Sequence, residues 1–198
     1  MDLAPPEHGE VSVTINAMKL DLLAARNLTL PDVLPPPGGK LDVLVCGINP
    51  GLYSAATGWH FARPGNRFWP ALQASGFTPR LLAPREQAEL PGYGLGITNL
   101  APRATARAAQ LADDELRDGV TRLTALIDRH HPRFLAIAGV TAYRTAFGRP
   151  GATIGLQPES IGATRLWVLP NPSGLNAHWT PPSLAEAFRE LRVATGER

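Results

Sequence analysis

The run Val43-Leu-Val-Cys-Gly-Ile-Asn-Pro-Gly51 leaves little freedom in how its part of the chain can fold. Val43, Leu44, Val45 and Ile48 form a short apolar, largely β-branched run bounded by turn residues, the pattern of a strand buried on both faces of a parallel sheet. The strand has to stop at Asn49-Pro50-Gly51. Pro50 donates nothing to a ladder and Gly51 tolerates positive φ, so the chain turns there and presents Asn49 just past the strand's carboxyl end. Open α/β sheets bind ligands at that edge. From this run alone, a plain structural turn competes on at least equal terms with a site.

Similar runs recur along the chain and alternate with helical patterns. The first strand is expected over Leu41–Ile48, followed by a long loop, Asn49–Gly65, that carries Trp59, His60 and Phe61. Loops of this length inside a domain are usually functional or disordered, and the aromatics favour function. Asn66 then opens a helix with Phe68, Trp69 and Leu72 inward, closed by Gly76, and Thr78–Leu90 reads as short helical pieces. A second strand is expected over Gly94–Leu100 and an arginine-bearing loop over Ala101–Gln110. Behind Asp113-Asp-Glu115, the residues Leu116, Val120, Leu123, Leu126 and Ile127 recur at helical spacing. Phe134–Ala138 is a third strand, Val140–Phe147 a helix ended by Gly148, and Arg149–Gly162 carries at most the signs of a hairpin-like excursion. A fourth strand, Leu166–Leu169, runs into Pro170-Asn-Pro-Ser-Gly-Leu-Asn176. The last helix opens at Ser183 with a capping-box pattern to Glu186 and buries Leu184, Phe188 and Leu191.

Strands alternating with helices predict a parallel sheet covered on both faces. Its loops after Ile48, Thr98 and Leu169 then gather at one edge and form one cleft. With 198 residues and 44% hydrophobic content, one domain is expected over 41–198. Residues 1–40 are expected to be a flexible arm, helical for a turn or two within Met18–Ala25 and ended by Pro35–Gly39. No apolar run is long enough for a bilayer and the start lacks a signal-peptide layout, so a soluble cytoplasmic protein is expected.

Composition also narrows the chemistry. The single cysteine, Cys46, excludes an internal disulfide and a cysteine-held zinc or iron–sulfur centre, and its place in a strand makes it inert packing. Both lysines fall within the first forty residues, which argues against a lysine Schiff base. Residues 41–198 hold 16 arginines against 12 acids, a mild positive balance compatible with a polyanion. The cleft loops offer asparagines, hydroxyls and aromatics, with no carboxylate on either principal loop and no spaced histidine cluster, so no metal is expected. His130 and His131 suit a helix C-terminus. His60 and His178 each stand alone, facing phosphate or solvent.

Taken together and in order, Gly47-Ile-Asn-Pro-Gly51, Pro64-Gly-Asn-Arg-Phe-Trp69 and Asn171-Pro-Ser-Gly-Leu-Asn176 resemble the mismatch-specific uracil-DNA glycosylase / thymine-DNA glycosylase family of the uracil-DNA glycosylase superfamily. The resemblance covers roughly residues 41–195. It implies a three-layer α/β/α sandwich around a four-stranded parallel sheet and hydrolysis of the N-glycosidic bond of uracil in double-stranded DNA, notably opposite guanine. It also implies a start to base excision repair and no cofactor. A monomer, at the nucleoid if the source is bacterial, is expected.

The resemblance also implies roles for individual residues. Asn49 is the catalytic residue, its side-chain oxygen aiming a water at C1′. An amide orients water but takes no proton, so the enzyme should be slow and lean on backbone N–H groups around Ile48–Gly51 and Phe61 to stabilise the departing base. The base pocket comprises Ile48, Gly51, Ser54, Phe61, Asn66, Asn99, Thr105 and Asn171. Phe61 stacks on the flipped base or anchors the loop in the core, Trp59 is the loop anchor, and Asn66 lies near the nucleotide while also suiting a helix N-cap. Leu175, carried with Ser173, Gly174 and Asn176, is the wedge that fills the hole in the duplex; the alternative is a loop leucine tucked onto the domain. From the residues themselves, Arg63, Arg67, Arg103 and Arg107 are candidate phosphate contacts, the alternative being solvated loop arginines. Tyr53, beside Ser54, argues against a pocket roomy enough for thymine. Two other classes stay open on the residues alone: a non-catalytic mismatch-binding module, and a small-molecule-binding α/β domain, which a neutral or acidic cleft rim would favour.

Overall fold

The computed structural model describes Leu22 and residues 24–196, so most of the helical stretch expected over Met18–Ala25 lies outside the described residues. Five strands form one sheet: β1 (Val43–Gly47), β2 (Leu95–Asn99), β3 (Phe134–Ala138), β4 (Gly155–Ile161) and β5 (Thr164–Leu169), in the order β2-β1-β3-β5-β4. β2, β1, β3 and β5 are the expected parallel set. The fifth strand corrects the expected count. β4 pairs antiparallel with β5 through a tight turn at Gly162, which has φ +57°. As an edge strand it tolerates Pro158 and a half-exposed surface, and so lacks the apolar run that marks the inner strands.

A second correction falls in Asn49–Gly65, expected as loop throughout. It contains helix α1 (Leu52–Thr57), closed by Gly58 in the left-handed conformation. Helices α2 (Phe68–Ala74), α3 (Asp113–His130), α4 (Val140–Phe147) and α5 (Pro181–Ala194) follow in the expected places. α5 starts earlier than expected: Thr180 is its N-cap, with Ser183 as the reciprocal partner and Pro181 in the first turn.

Alternation along each inner strand sends successive side chains to opposite faces. Val43 and Val45 join Phe68, Trp69, Leu72, Leu184, Phe188 and Leu191 under α2 and α5. Leu44 and Cys46 join Leu116, Leu123, Ile127 and Tyr143 under α3 and α4. The result is an α/β/α sandwich. Cys46 is fully buried and unpaired by disulfide, and burial pushes its thiol pKa up, as inert packing requires.

The described part of the expected arm is tied down. Val33 exchanges two backbone hydrogen bonds with Ile97 of β2, at 2.9 and 2.8 Å, and Ala25 and Leu30 are buried. β2 is a sheet edge with unpaired backbone groups, and this short bridge covers part of it. No helix among the described residues is long and apolar enough to cross a membrane.

Candidate active site

The turn after β1 is laced to the loop after β2. Leu100 N donates to Gly47 O at 2.8 Å, Ala101 N to Ile48 O at 2.9 Å and Thr105 N to Pro50 O at 3.1 Å. This lacing fixes Asn49. Its Nδ2 donates to Arg103 O at 2.8 Å and Thr105 Oγ1 at 2.7 Å, while Thr105 Oγ1 donates onward to Arg107 O at 2.9 Å. A peptide carbonyl only accepts, so the NH2 end of the carboxamide is the end committed to the protein. Oδ1 of Asn49 takes part in no hydrogen bond among the described residues, and it is left as an acceptor at a cavity.

That cavity holds about 160 Å³ and is lined by Asn49 and by all eight expected pocket residues, Ile48, Gly51, Ser54, Phe61, Asn66, Asn99, Thr105 and Asn171. Its size lies below the ~300–1,000 Å³ of sites for drug-sized ligands, so it suits a single ring. Phe61 adopts φ +51°, a left-handed conformation that costs an aromatic residue free energy and is typical of functional sites. Its ring stacks on Phe68 with centroids 4.1 Å apart, so Phe61 both packs on the core and lines the cavity. Gly47 makes the approach possible: a Cβ there would stand 2.5 Å from Asn99 Oδ1 and 3.3 Å from Phe61 Cζ.

The remaining polar lining is oriented by local bonds. Asn66 Oδ1 accepts from Phe68 N at 2.9 Å, a cap-like bond at the start of α2, and leaves its NH2 at the cavity. Buried Ser54 accepts from Ala62 N at 3.1 Å through Oγ. Tyr53 does not line the cavity, so it does not set the pocket's width as expected. Trp59 is 38% exposed and is not the loop anchor. That role falls to buried His60, whose backbone is held by Gln87 Oε1 at 2.8 Å and by Trp69 Nε1 at 3.1 Å. His60 and Leu30 also line the cavity. Nothing in their own sequence neighbourhoods marks them, since the ring's contact at Pro31 is 29 residues away.

The turn after β5 stands beside this cavity. Asn171 Oδ1 accepts from Ser173 N at 2.9 Å, and Asn176 Nδ2 donates to Asn171 O at 3.0 Å. Gly174 lies so close to Gly65 that a Cβ would come within 2.4 Å of the Gly65 carbonyl. Between them runs a groove of about 240 Å³ that shares Arg63, Asn66 and Ser173 with the first cavity and is edged by Gly174 and Leu175. Leu175 is 75% exposed. Leaving a leucine in water forgoes roughly 1.5–3 kcal/mol of burial, so the tucked alternative does not describe this residue.

The guanidinium groups of two expected phosphate contacts are engaged within the protein. Arg67 donates to Trp179 O and, at 2.7 Å each, to the carbonyls of Ser173 and Asn176. Arg103 forms a two-pronged pair with Glu115 at 2.8 Å per bond and reaches Gln110 O at 3.1 Å. These bonds and the Ala112 N–H hold the Glu115 carboxyl well below its usual range, at about 2. The guanidinium groups of Arg63 and Arg107 have no protein partner among the described residues, and both line the cavity. Among the described residues no aspartate or glutamate lines it, so the rim they form is basic rather than neutral or acidic. Among the described residues, no cluster of histidine, cysteine or carboxylate side chains is arranged to hold a metal. Lys40 is paired with Asp42 at 2.6 Å, at the amino end of β1 and away from the site.

Among solved structures, this fold matches a solution NMR structure of a candidate uracil DNA glycosylase from Methanosarcina acetivorans. The TM-score is 0.58 and the sequence identity 18%, over 83% of this chain and 98% of that one. At that identity the likeness speaks to the fold. The sequence model of the uracil DNA glycosylase superfamily matches residues 36–192, from just before β1 to near the end of α5. A match over that much of the sequence, on a sandwich of the same architecture, means that the chain belongs to the uracil DNA glycosylase superfamily.

Proposed function

We propose that the protein is a monofunctional DNA glycosylase of the mismatch-specific uracil / thymine-DNA type. It removes uracil, notably opposite guanine, from double-stranded DNA and so opens base excision repair. The observation that carries this reading is the one-sided commitment of Asn49, whose NH2 is consumed by Arg103 O and Thr105 Oγ1 while its oxygen is left at the cavity.

A base in a duplex has to leave the stack before C1′ is reachable. Leu175 enters the gap, and Arg63 and Arg107 hold flanking phosphates. The extruded ring lies against Phe61. Asn49 Oδ1 accepts a hydrogen bond from a water and aims its lone pair at C1′. The C1′–N1 bond breaks with its electron pair going to the base, and the water's proton leaves to solvent because an amide does not take it. Among the described residues, the backbone N–H groups of Asn49 and Phe61 have no protein acceptor, which suits them to stabilise the leaving anion. Bases with electron-withdrawing groups at C5 leave faster. The protein acts as a monomer without metal or organic cofactor, and the abasic strand stays uncut because no lysine among the described residues lines the site.

The test is an end-labelled duplex carrying uracil opposite guanine. Strand breaks that appear only after alkali support the reading. No break after alkali counts against a glycosylase, and a break without alkali counts against a monofunctional one.

A further inference from the structure

The chain before β1 reaches into the site. Leu30 lines the cavity, Val33 is bonded to Ile97 on β2, Asp32 pairs with Arg122 at 3.4 Å, and Pro31 O lies 2.9 Å from His60 Nε2. All four residues precede residue 36, where the family match begins. Two of these contacts converge on Asn99. Arg122 donates to the Asn99 carbonyl and lies 3.3 Å from Thr98 Oγ1, and Asn99 Nδ2 lies 3.5 Å from His60 Nδ1.

The direction of each bond follows from the groups involved. Pro31 O only accepts, so His60 Nε2 carries a proton. Burial pushes the ring's pKa down, which keeps it neutral and leaves Nδ1 as a bare acceptor. Asn99 therefore turns its NH2 to His60 and its oxygen the other way, over the bare Cα of Gly47. That oxygen takes part in no hydrogen bond among the described residues.

We propose that residues 30–33 are a specificity strap: acting through the Pro31 carbonyl and the His60 ring, they hold Asn99 with its side-chain oxygen presented to the base. The proposal rests on the glycosylase reading above. An acceptor at that place takes the N3–H of an imide such as uracil and opposes the N3 lone pair of cytosine. His60 is a positioning residue, and Asn99 is the one that touches the base.

The test is single-turnover release of uracil and of 5-fluorocytosine from otherwise identical duplexes by the full chain and by two variants. His60→Phe keeps a ring without nitrogens and frees Asn99 to rotate, so the uracil to 5-fluorocytosine rate ratio falls by about tenfold or more. His60→Gln donates to Pro31 O and accepts from Asn99, and returns the ratio to within roughly threefold of the starting protein. Equal loss of both rates, with the ratio unchanged, overturns the strap. Should His60→Phe fail to fold, nitrogen-15 NMR of the buried histidine in the unaltered protein decides: an Nε2-protonated neutral ring is expected, and an Nδ1-protonated one overturns the relay. Release of no base from any duplex by the unaltered protein overturns the glycosylase reading itself, whereas release with an unmoved ratio overturns only the strap.

Discussion

Two Asn-Pro turns leave the same edge of the sheet, one after β1 and one after β5, and their asparagines end up with opposite polarity. Asn49 gives its NH2 to the neighbouring loop and keeps its oxygen for the cavity. Asn171 gives its oxygen to Ser173 N, two residues on, and keeps its NH2. The difference lies in what each turn is fastened to. The first is laced to the loop after β2 by backbone bonds and by Thr105, which fixes the direction of its carboxamide. The second closes on itself and is held from outside by the Arg67 guanidinium, with Leu175 left exposed. On the proposed reading the same dipeptide fixes a catalytic acceptor in one place and stands at the root of a wedge in the other.

The largest expected effect on this contrast comes from cutting the outer tether. Arg67→Ala leaves the Ser173, Asn176 and Trp179 carbonyls without their donor, and a charged hydrogen bond is worth roughly 1.5–3 kcal/mol. Urea unfolding should show a loss of about that size or more, with activity on duplex DNA falling while the β1 turn stays intact. Leu175→Ala is expected to leave stability unchanged and to lower kcat/KM on duplex substrate by about tenfold or more, in line with roughly 1.5–3 kcal/mol for a leucine newly buried in the stack. Stability that drops instead would mean the leucine belongs to the fold.

Smaller effects test the inner turn. Thr105→Val keeps the shape but removes an acceptor from Asn49 Nδ2, and kcat should fall about threefold to tenfold with KM little changed, the scale of one hydrogen bond. The smallest effect is at Glu115. Its pKa is depressed in the folded protein, so its pairing with Arg103 contributes stability above the ordinary carboxylate range and loses it as pH falls toward about 2. Glu115→Gln should therefore melt slightly below the starting protein near pH 6, and the gap in Tm should close as the pH nears 2. The effect is small because the pair is solvent-exposed.

Much of this arrangement was legible in the residues, and the exceptions share a cause. Phe134–Ala138 and Val140–Phe147 coincide with their patterns because a strand buried on both faces and a helix closed by glycine are specified locally. Asn49, Phe61, Asn99 and Asn171 meet because parallel strands deliver their loops to one edge. α1 leaves no sequence signal because Leu52–Thr57 is too short to show an amphipathic period, and β4 leaves little because an edge strand needs no continuous apolar run. The protein partners of Arg67 and Arg103 are not readable from the sequence because an arginine's partner is a tertiary fact: the carbonyls that hold Arg67 lie more than 100 residues away. The same holds for His60, which the sequence shows as a lone loop histidine.

The most direct measurement is single-turnover release of uracil from a uracil–guanine duplex by Asn49→Ala, run beside a binding titration on the same DNA. Loss of the water-aiming oxygen should slow release on the order of 10²-fold, while affinity for the duplex stays within a few-fold of the starting protein. Release at the starting rate, or a loss that follows affinity alone, would contradict the assignment of Asn49 as the residue that directs water onto C1′.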